Sequence, residues 1–252
     1  MKITIIHGQN HKGNSYHIGR MLAEKLADEQ EITEFFLPAS LNHFCLGCYS
    51  CIEDEVKCPY YSEKKVIADA MEQAELLIFT TPTYCLECSA PMKAFLDLFF
   101  NYWIPHRPRK YMFRKKAVII STAAGTGTGK AIAPVKRALA YWGVPYRKGY
   151  GIAVSAMNWG QVPEKKKQRI EKDMTALAGN IKKAKVGKPS LFIRFMFCLM
   201  ASMKKSAPDG GYDAGEVRYW RENGWLDGKR PWRYAESCGR DNDNEYRGRI
   251  KK

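Results

Sequence analysis

Four of the eight cysteines fall within fourteen positions: Cys45, Cys48, Cys51 and Cys58, in the stretch HFCLGCYSCIEDEVKCP. A C-x2-C-x2-C-x6-C run of thiols suits a [4Fe–4S] cluster, a zinc ion or a redox-active dithiol, and four idle thiols satisfy it equally. Structural zinc sites usually draw on two C-x2-C pairs well separated in sequence, which this run does not offer. A second grouping, Cys85 and Cys88 in CLEC, has the C-x-x-C form of a redox dithiol or, more simply, of two small and partly buried side chains.

Three other stretches combine turn residues with hydrogen-bonding side chains: HGQNHKGNS (7–15), TPTYCLECSAP (81–91) and STAAGTGTGK (121–130). The first brings Gly8 and Gly13 together with Gln9, Asn10, Lys12, Asn14 and Ser15, and opens into a helix start. Backbone N–H groups and the helix dipole at such a point favour an anion, and a phosphate is the common one. The loop matches neither G-x-x-x-x-G-K-[ST] nor the three-glycine dinucleotide fingerprint, so a single phosphate fits better than ATP or a dinucleotide. An ordinary turn leading into a capped helix is the plainer alternative.

These stretches need elements to position them. KITIIHG is a short, continuous β-branched run, as expected of a strand buried on both faces of a parallel sheet. NSYHIGRMLAEKLAD then spaces Ile18, Leu22 and Leu26 four apart, with Asn14 or Ser15 placed to cap. EITEFFL, ELLIFTTPTY, KKAVIISTA and YGIAVSAM read as further strands, and KKVIADAMEQA, APMKAFLDLFFNYW and APVKRALAYWG as intervening helices. Strand, loop and helix recurring five times predict an α/β protein with an open, doubly wound, five-stranded parallel sheet. Ligands bind such a sheet at the carboxyl ends of its strands, where the strand order reverses.

Taken together, HGQNHKGNSYHIGRML, FCLGCYSC with its fourth cysteine, FTTPTYCLECSAPMKAFLD and STAAGTGTG occur in the order and spacing that resembles the NADPH-dependent FMN reductase and iron-sulfur flavoprotein family, of flavodoxin-like fold. The resemblance covers roughly residues 1–180. It implies that Gln9, Asn10, Lys12, Asn14 and Ser15 face the FMN phosphate and that Pro82, Thr83, Tyr84 and Cys85 lie along the isoalloxazine ring. Ala124, Gly125 and Gly127 would form the third wall. It implies NAD(P)H as co-substrate, a small acceptor such as a flavin, a quinone or a redox protein, and a [4Fe–4S] cluster as candidate occupant of Cys45, Cys48, Cys51 and Cys58. A non-enzymatic iron-sulfur flavoprotein carrying single electrons is the rival. The chain departs from the family pattern at Asp97-Leu98, where an Asp-Arg pair is expected. The polar contact near the third loop is then either missing or supplied by His106 or Arg107, which could also attract the anionic nicotinamide cofactor.

With 252 residues, 45% of them apolar and 12% aromatic, the chain can bury a substantial core. We expect an FMN-binding domain at 1–185 and an extension at 186–252. Charge is uneven: residues 1–100 carry 8 Lys/Arg against 14 Asp/Glu, and residues 101–252 carry 33 against 12. The segment 164–185 places Ile170, Met174, Leu177 and Ile181 on one stripe with lysines opposite, the pattern of a solvated helix. No zinc-finger, RNP-like or recognition-helix pattern accompanies the charge, so no specific nucleic-acid partner is expected.

MKITIIHG is too short for a signal-peptide core, which points to the cytoplasm and to free thiols. The greasiest run, 191–203, contains Arg194 and is too short to span a bilayer, so no transmembrane segment is expected. It is apolar nearly all round and should be buried, either against the flavin domain or in a partner subunit; an amphipathic helix on an anionic membrane, helped by Lys204 and Lys205, is the competing expectation. Trp220, Trp225 and Trp232 read as anchors of a packed C-terminal cap, and the polar tail CGRDNDNEYRGRIKK should fray. A homodimer that buries Phe192, Phe195 and Phe197 would complete the rim of the flavin site.

Overall fold

The computed structural model describes residues 1–208 and 210–233. The polar tail 238–252, expected to fray, lies outside the described residues. The strands are β1 (Ile3–His7), β2 (Ile32–Phe36), β3 (Leu76–Tyr84), β4 (Glu87–Cys88), β5 (Lys116–Ala123) and β6 (Tyr146–Ala153). Five of them run parallel in the order β2-β1-β3-β5-β6, while β4 adds a two-residue antiparallel pairing to the end of β3. This is the predicted flavodoxin-like, doubly wound sheet with one small strand more. The chain leaves β1 for β2 on one side and returns to β3 on the other, so the order reverses between β1 and β3.

Alternation along the strands explains the two layers. Ile3, Ile5, Leu76, Ile78, Val118 and Ile120 face α1 (Asn14–Glu24) and α6 (Glu164–Lys183), meeting Ile18, Leu22, Ile170, Met174 and Ile181. Their neighbours Ile6, Leu77, Phe79 and Ile119 face the opposite layer, formed by α3 (Tyr61–Gln73), α4 (Ala90–Leu98) and α5 (Thr128–Tyr141). A short α2 (Ser50–Glu53) lies in the cysteine segment after β2. Two predicted boundaries shift: α1 stops at Glu24 instead of continuing to Asp28, and β6 begins at Tyr146, pairing with Lys116 of β5 before the run we read as the strand.

Beyond α6, α7 (Leu191–Lys205) and α8 (Ala214–Glu222) build a third core in which Ile193, Phe197, Ala201, Trp220, Trp225 and Trp232 surround Ile104 and Phe113. The three tryptophans are the anchors expected of them. Phe197 sits 4.7 Å from the Trp220 ring, and Trp220 Nε1 donates to the His106 carbonyl at 2.7 Å. A buried polar lock closes the assembly: Glu216 receives Lys204 Nζ at 2.8 Å and pairs with His106 Nδ1 at 2.9 Å. At the start of α8, Gly215 approaches the Glu53 carbonyl so closely that a β-carbon there would run into it. The extension therefore braces the cysteine segment directly.

Within the single subunit α7 is buried on one face. Phe197 is fully buried, whereas Phe192 and Phe195 remain 55% and 62% exposed in the subunit. One helix face packs into the third core, and from the opposite face the Phe192 ring meets Tyr141 edge-on at 6.2 Å. No helix among the described residues is long and apolar enough to cross a membrane.

Candidate functional site

In a parallel sheet every loop that follows a strand emerges at the same edge, and the three loops singled out above follow β1, β3 and β5. After β1, Gly8 N donates to the Thr80 carbonyl at 2.6 Å and Ser89 Oγ to the Gly8 carbonyl at 2.6 Å, which ties the first loop to the end of β3. Gln9 and Gly13 are half-buried, while Asn10, His11 and Lys12 are exposed. Neither Asn14 nor Ser15 caps α1, contrary to expectation. Gly13, which has no side chain to offer, holds the N-cap position, and the His11 ring lies within 2.8 Å of where a Gly13 β-carbon would stand. The helix N-terminus is thus left open to an acceptor from outside.

Asn14 and Ser15 are instead buried in the first turn. Asn14 Nδ2 donates to the Ala156 carbonyl at 3.0 Å, while its Oδ1 is buried without a donor. A buried acceptor without a partner costs roughly 1–3 kcal/mol, which a hydroxyl-bearing ligand would recover.

The second loop is a tight hairpin. Thr83 pairs with Cys88 and Tyr84 with Glu87, and the two residues between, Cys85 and Leu86, both adopt positive φ (50° and 65°). This is the backbone of a type I′ turn, built here without glycine or asparagine. Pro82 and Thr83 are half-buried and Tyr84 and Cys85 exposed, so an apolar and aromatic surface faces the rim. Thr83 Oγ1 and Ser121 Oγ, 2.9 Å apart, link this loop to β5. In the third loop Ala124 and Gly125 are exposed, and Gly127 adopts φ +95° against Leu86, where a β-carbon would come within 2.6 Å of Leu86 Cδ2. Gly127 also begins α5 without a side-chain cap. The twelve residues predicted to contact a cofactor therefore lie on three loops at one edge of the sheet.

A fourth wall was not anticipated. The loop after β6 folds back on the others: Ser155, at φ 54°, donates its N–H to the Ala124 carbonyl at 3.1 Å, and Trp159 stacks on His17 at 5.2 Å. It was legible as the carboxyl end of a fifth parallel strand, but carried no glycine signature. Beneath the rim, buried His7 bridges Thr80 Oγ1 (2.9 Å) and Glu34 Oε1 (2.8 Å). Burial pushes the Glu34 carboxyl up, but the His7 and Arg20 contacts outweigh that and hold it below its usual range.

His106 and Arg107 do not serve the site as expected. Arg107 is buried and donates to the Ile52 and Glu53 carbonyls of the cysteine segment, and His106 pairs with Glu216 of the extension. The departure at 97–98 has a local reason: Asp97 pairs with Lys93 on the helix surface, and Leu98 is buried beside the cysteines.

Those cysteines converge. Cys45, Cys48, Cys51 and Cys58 all line one small pocket, shared with Tyr49, Lys64 and Phe100. Lys64 is itself buried, with its Nζ 4.0 Å from Cys58 Sγ. Among the described residues no three His, Cys, Asp or Glu side chains are arranged to grip a metal ion as they stand, and all seven described cysteines are free thiols.

The four thiols are not equivalent. A hydrogen bond from Ser50 lowers the pKa of exposed Cys48, whereas burial pushes Cys51 up to about 11 against the pull of Lys64. Burial also raises Cys88, the inner member of the C-x-x-C pair. In reduced, metal-free protein near neutral pH, iodoacetamide should therefore modify Cys48 first and Cys51 and Cys88 last. Mass spectrometry of a labelling time course checks this order, and early labelling of Cys51 would contradict the buried position given to it.

Residues 1–158 match the NADPH-dependent FMN reductase family. The chain belongs to that family. An iron-sulfur flavoprotein from Archaeoglobus fulgidus is 27% identical over 126 residues, a stretch covering 48% of this chain and 55% of that protein. This FMN reductase family member thus aligns with only about half the length of that relative. The crystal structure of Smu.1420 from Streptococcus mutans UA159 superposes with a TM-score of 0.53 at 17% identity, over 71% of this chain and all of that one, which bears on the fold alone.

Proposed function

We propose that the protein is an FMN-dependent NAD(P)H oxidoreductase that passes electrons to a small acceptor such as a flavin, a quinone or a redox protein. The observation that carries this is the open N-terminus of α1 beside a buried Asn14 Oδ1 that lacks a donor. The first suits a phosphate and the second a hydroxyl of a polyol chain leading from it. Gln9, Asn10, Lys12, Asn14 and Ser15 would hold the phosphate and ribityl end; Pro82, Thr83, Tyr84 and Cys85 would bound the ring, with Ala124, Gly125 and Gly127 as the third wall. Bound FMN would supply the redox chemistry, accepting hydride from NAD(P)H and giving up electrons singly or in pairs. The chain's own task would be placement: the N-terminus of α1 would offset the phosphate charge and the hairpin would give the ring an apolar face. Hydrogen bonds between Thr83 and Ser121 and from Ser89 to the Gly8 carbonyl tie the three loops to one another. Free thiols in all seven described cysteines fit a reducing cytoplasm.

The test is identification of the flavin released on denaturation, expected to be FMN and not FAD, together with steady-state NAD(P)H oxidation. Colourless protein that fails to take up added FMN overturns the reading.

The four-cysteine pocket favours an additional centre. A [4Fe–4S] cluster held by Cys45, Cys48, Cys51 and Cys58 would need the exposed Cys45 and Cys48 to swing toward buried Cys51, with Lys64 offsetting part of the cluster's negative charge. Iron and acid-labile sulfide assayed in anaerobically purified protein decide this. A loaded cluster without NAD(P)H oxidation would instead support a non-enzymatic electron carrier.

A further inference from the structure

Helix α7 has two apolar faces. Ile193, Phe197 and Ala201 enter the third core, and on the opposite side Leu191, Phe192, Phe195, Leu199 and Met203 form a stripe at helical spacing that runs the length of the helix. Leu191 is 78% exposed and Met203 59%. Large apolar side chains on a folded surface cost free energy unless something covers them, and a contiguous stripe marks a contact surface.

The surroundings say what could cover it. Residues 174–208 contain seven Lys or Arg and no Asp or Glu. Lys182, Lys183, Lys185 and Lys188 are exposed immediately before α7, and Lys205 is exposed at its end. A homodimer through this stripe, as expected from the sequence, would be isologous and would set these lysines against their own copies, in a chain whose net charge is already +15. An anionic lipid surface reverses the sign of that interaction. Fifteen residues of α7 make a helix about 22 Å long, too short to cross a bilayer and suited to lie in its interface. Apolar insertion and a polybasic flank are the two weak signals that together give lasting peripheral attachment.

We infer that the protein docks on anionic membranes, with the Leu191, Phe192, Phe195, Leu199 and Met203 face of α7 inserted at the headgroup level and Lys182, Lys183, Lys185, Lys188 and Lys205 against the lipid phosphates. This goes beyond the oxidoreductase reading and does not depend on it.

The experiment is co-sedimentation of the full chain with vesicles of phosphatidylcholine alone and of phosphatidylcholine mixed with phosphatidylglycerol, at low and high salt. Binding should require the anionic lipid and weaken with salt. Phe192→Glu/Phe195→Glu should lower vesicle affinity roughly 100-fold, since two large apolar side chains then lose their burial. Converting Lys182, Lys183, Lys185 and Lys188 to Gln should lower it about 10-fold or more. All six positions are exposed, so thermal midpoint and flavin content should match the parent protein. Absence of binding to anionic vesicles at low salt overturns the proposal, and so does equal binding to neutral ones. A dimer that the phenylalanine variant dissolves, without lipid binding, would hand the face to a second copy and overturn it too.

Discussion

Ser15→Glu should strip the protein of its flavin. Ser15 lies buried in the first turn of α1, whose N-terminal N–H groups no side chain caps. A carboxylate there would stand within a few ångströms of the bound phosphate. At an effective dielectric near 20, two like charges about 4 Å apart repel by about 4 kcal/mol. Even if solvent halves that, affinity should fall on the order of 30-fold, and a doubly charged phosphate raises the loss toward 1,000-fold. The helix itself should tolerate the change, because an acidic residue in the first turn complements the macrodipole. Ser15→Ala, which removes one hydroxyl and adds no charge, should cost no more than about 10-fold. Fluorescence titration of apoprotein with FMN, alongside the thermal midpoint, separates loss of binding from loss of fold. A glutamate variant that binds FMN as tightly as the parent would place the phosphate elsewhere.

Trp220→Ala should destabilise the whole molecule by about 3–5 kcal/mol, the cost of emptying a large aromatic site in a core that cannot collapse around it. Trp220 is fully buried, lies 4.7 Å from Phe197 and 5.2 Å from Trp225, and gives its Nε1 hydrogen to His106. Its removal leaves the His106 carbonyl short of a donor as well. Because Ile104 and Phe113 belong to the same core, the loss should appear in the α/β unit and not in the extension alone. A chain truncated after Lys185 should accordingly expose both residues and lose solubility. Denaturant unfolding followed by near-ultraviolet circular dichroism checks the point variant. An unchanged midpoint would mean that the extension rests on the α/β unit without stabilising it.

The flavodoxin-like sheet was legible because buried parallel strands are written as short β-branched runs, and each strand-loop-helix unit repeats that signal locally. KITIIHG and KKAVIISTA needed no tertiary information to be read as strands. That the three loops share an edge was legible for a related reason: parallel topology sends every strand's carboxyl end to one edge, so the loops after β1, β3 and β5 emerge together. Details that depend on packing were not. Asn14 and Ser15 look like caps in sequence, yet Gly13 takes the cap position and both side chains are buried in the first turn, Asn14 held by the Ala156 carbonyl.

His106 and Arg107 show the same limit on a larger scale. A basic pair near a nucleotide site suggests ligand attraction, but a charge acts on whatever lies beside it, and here that is Glu216 and the carbonyls of Ile52 and Glu53. Likewise, the composition of 191–203 announces a helix without saying how many of its faces find partners, because the thickness of the layer around it is set by residues more than ten positions away, such as Ile104, Phe113 and Trp220. The sequence by itself determined the sheet, the common edge of the three loops and the four thiols close in the chain. Only the tertiary structure decided that those thiols share a pocket with Lys64, that the extension braces them through Gly215, and that α7 presents one apolar face outward. Local propensity and strand direction are properties of short segments, whereas convergence, bracing and exposure depend on which distant surfaces come together.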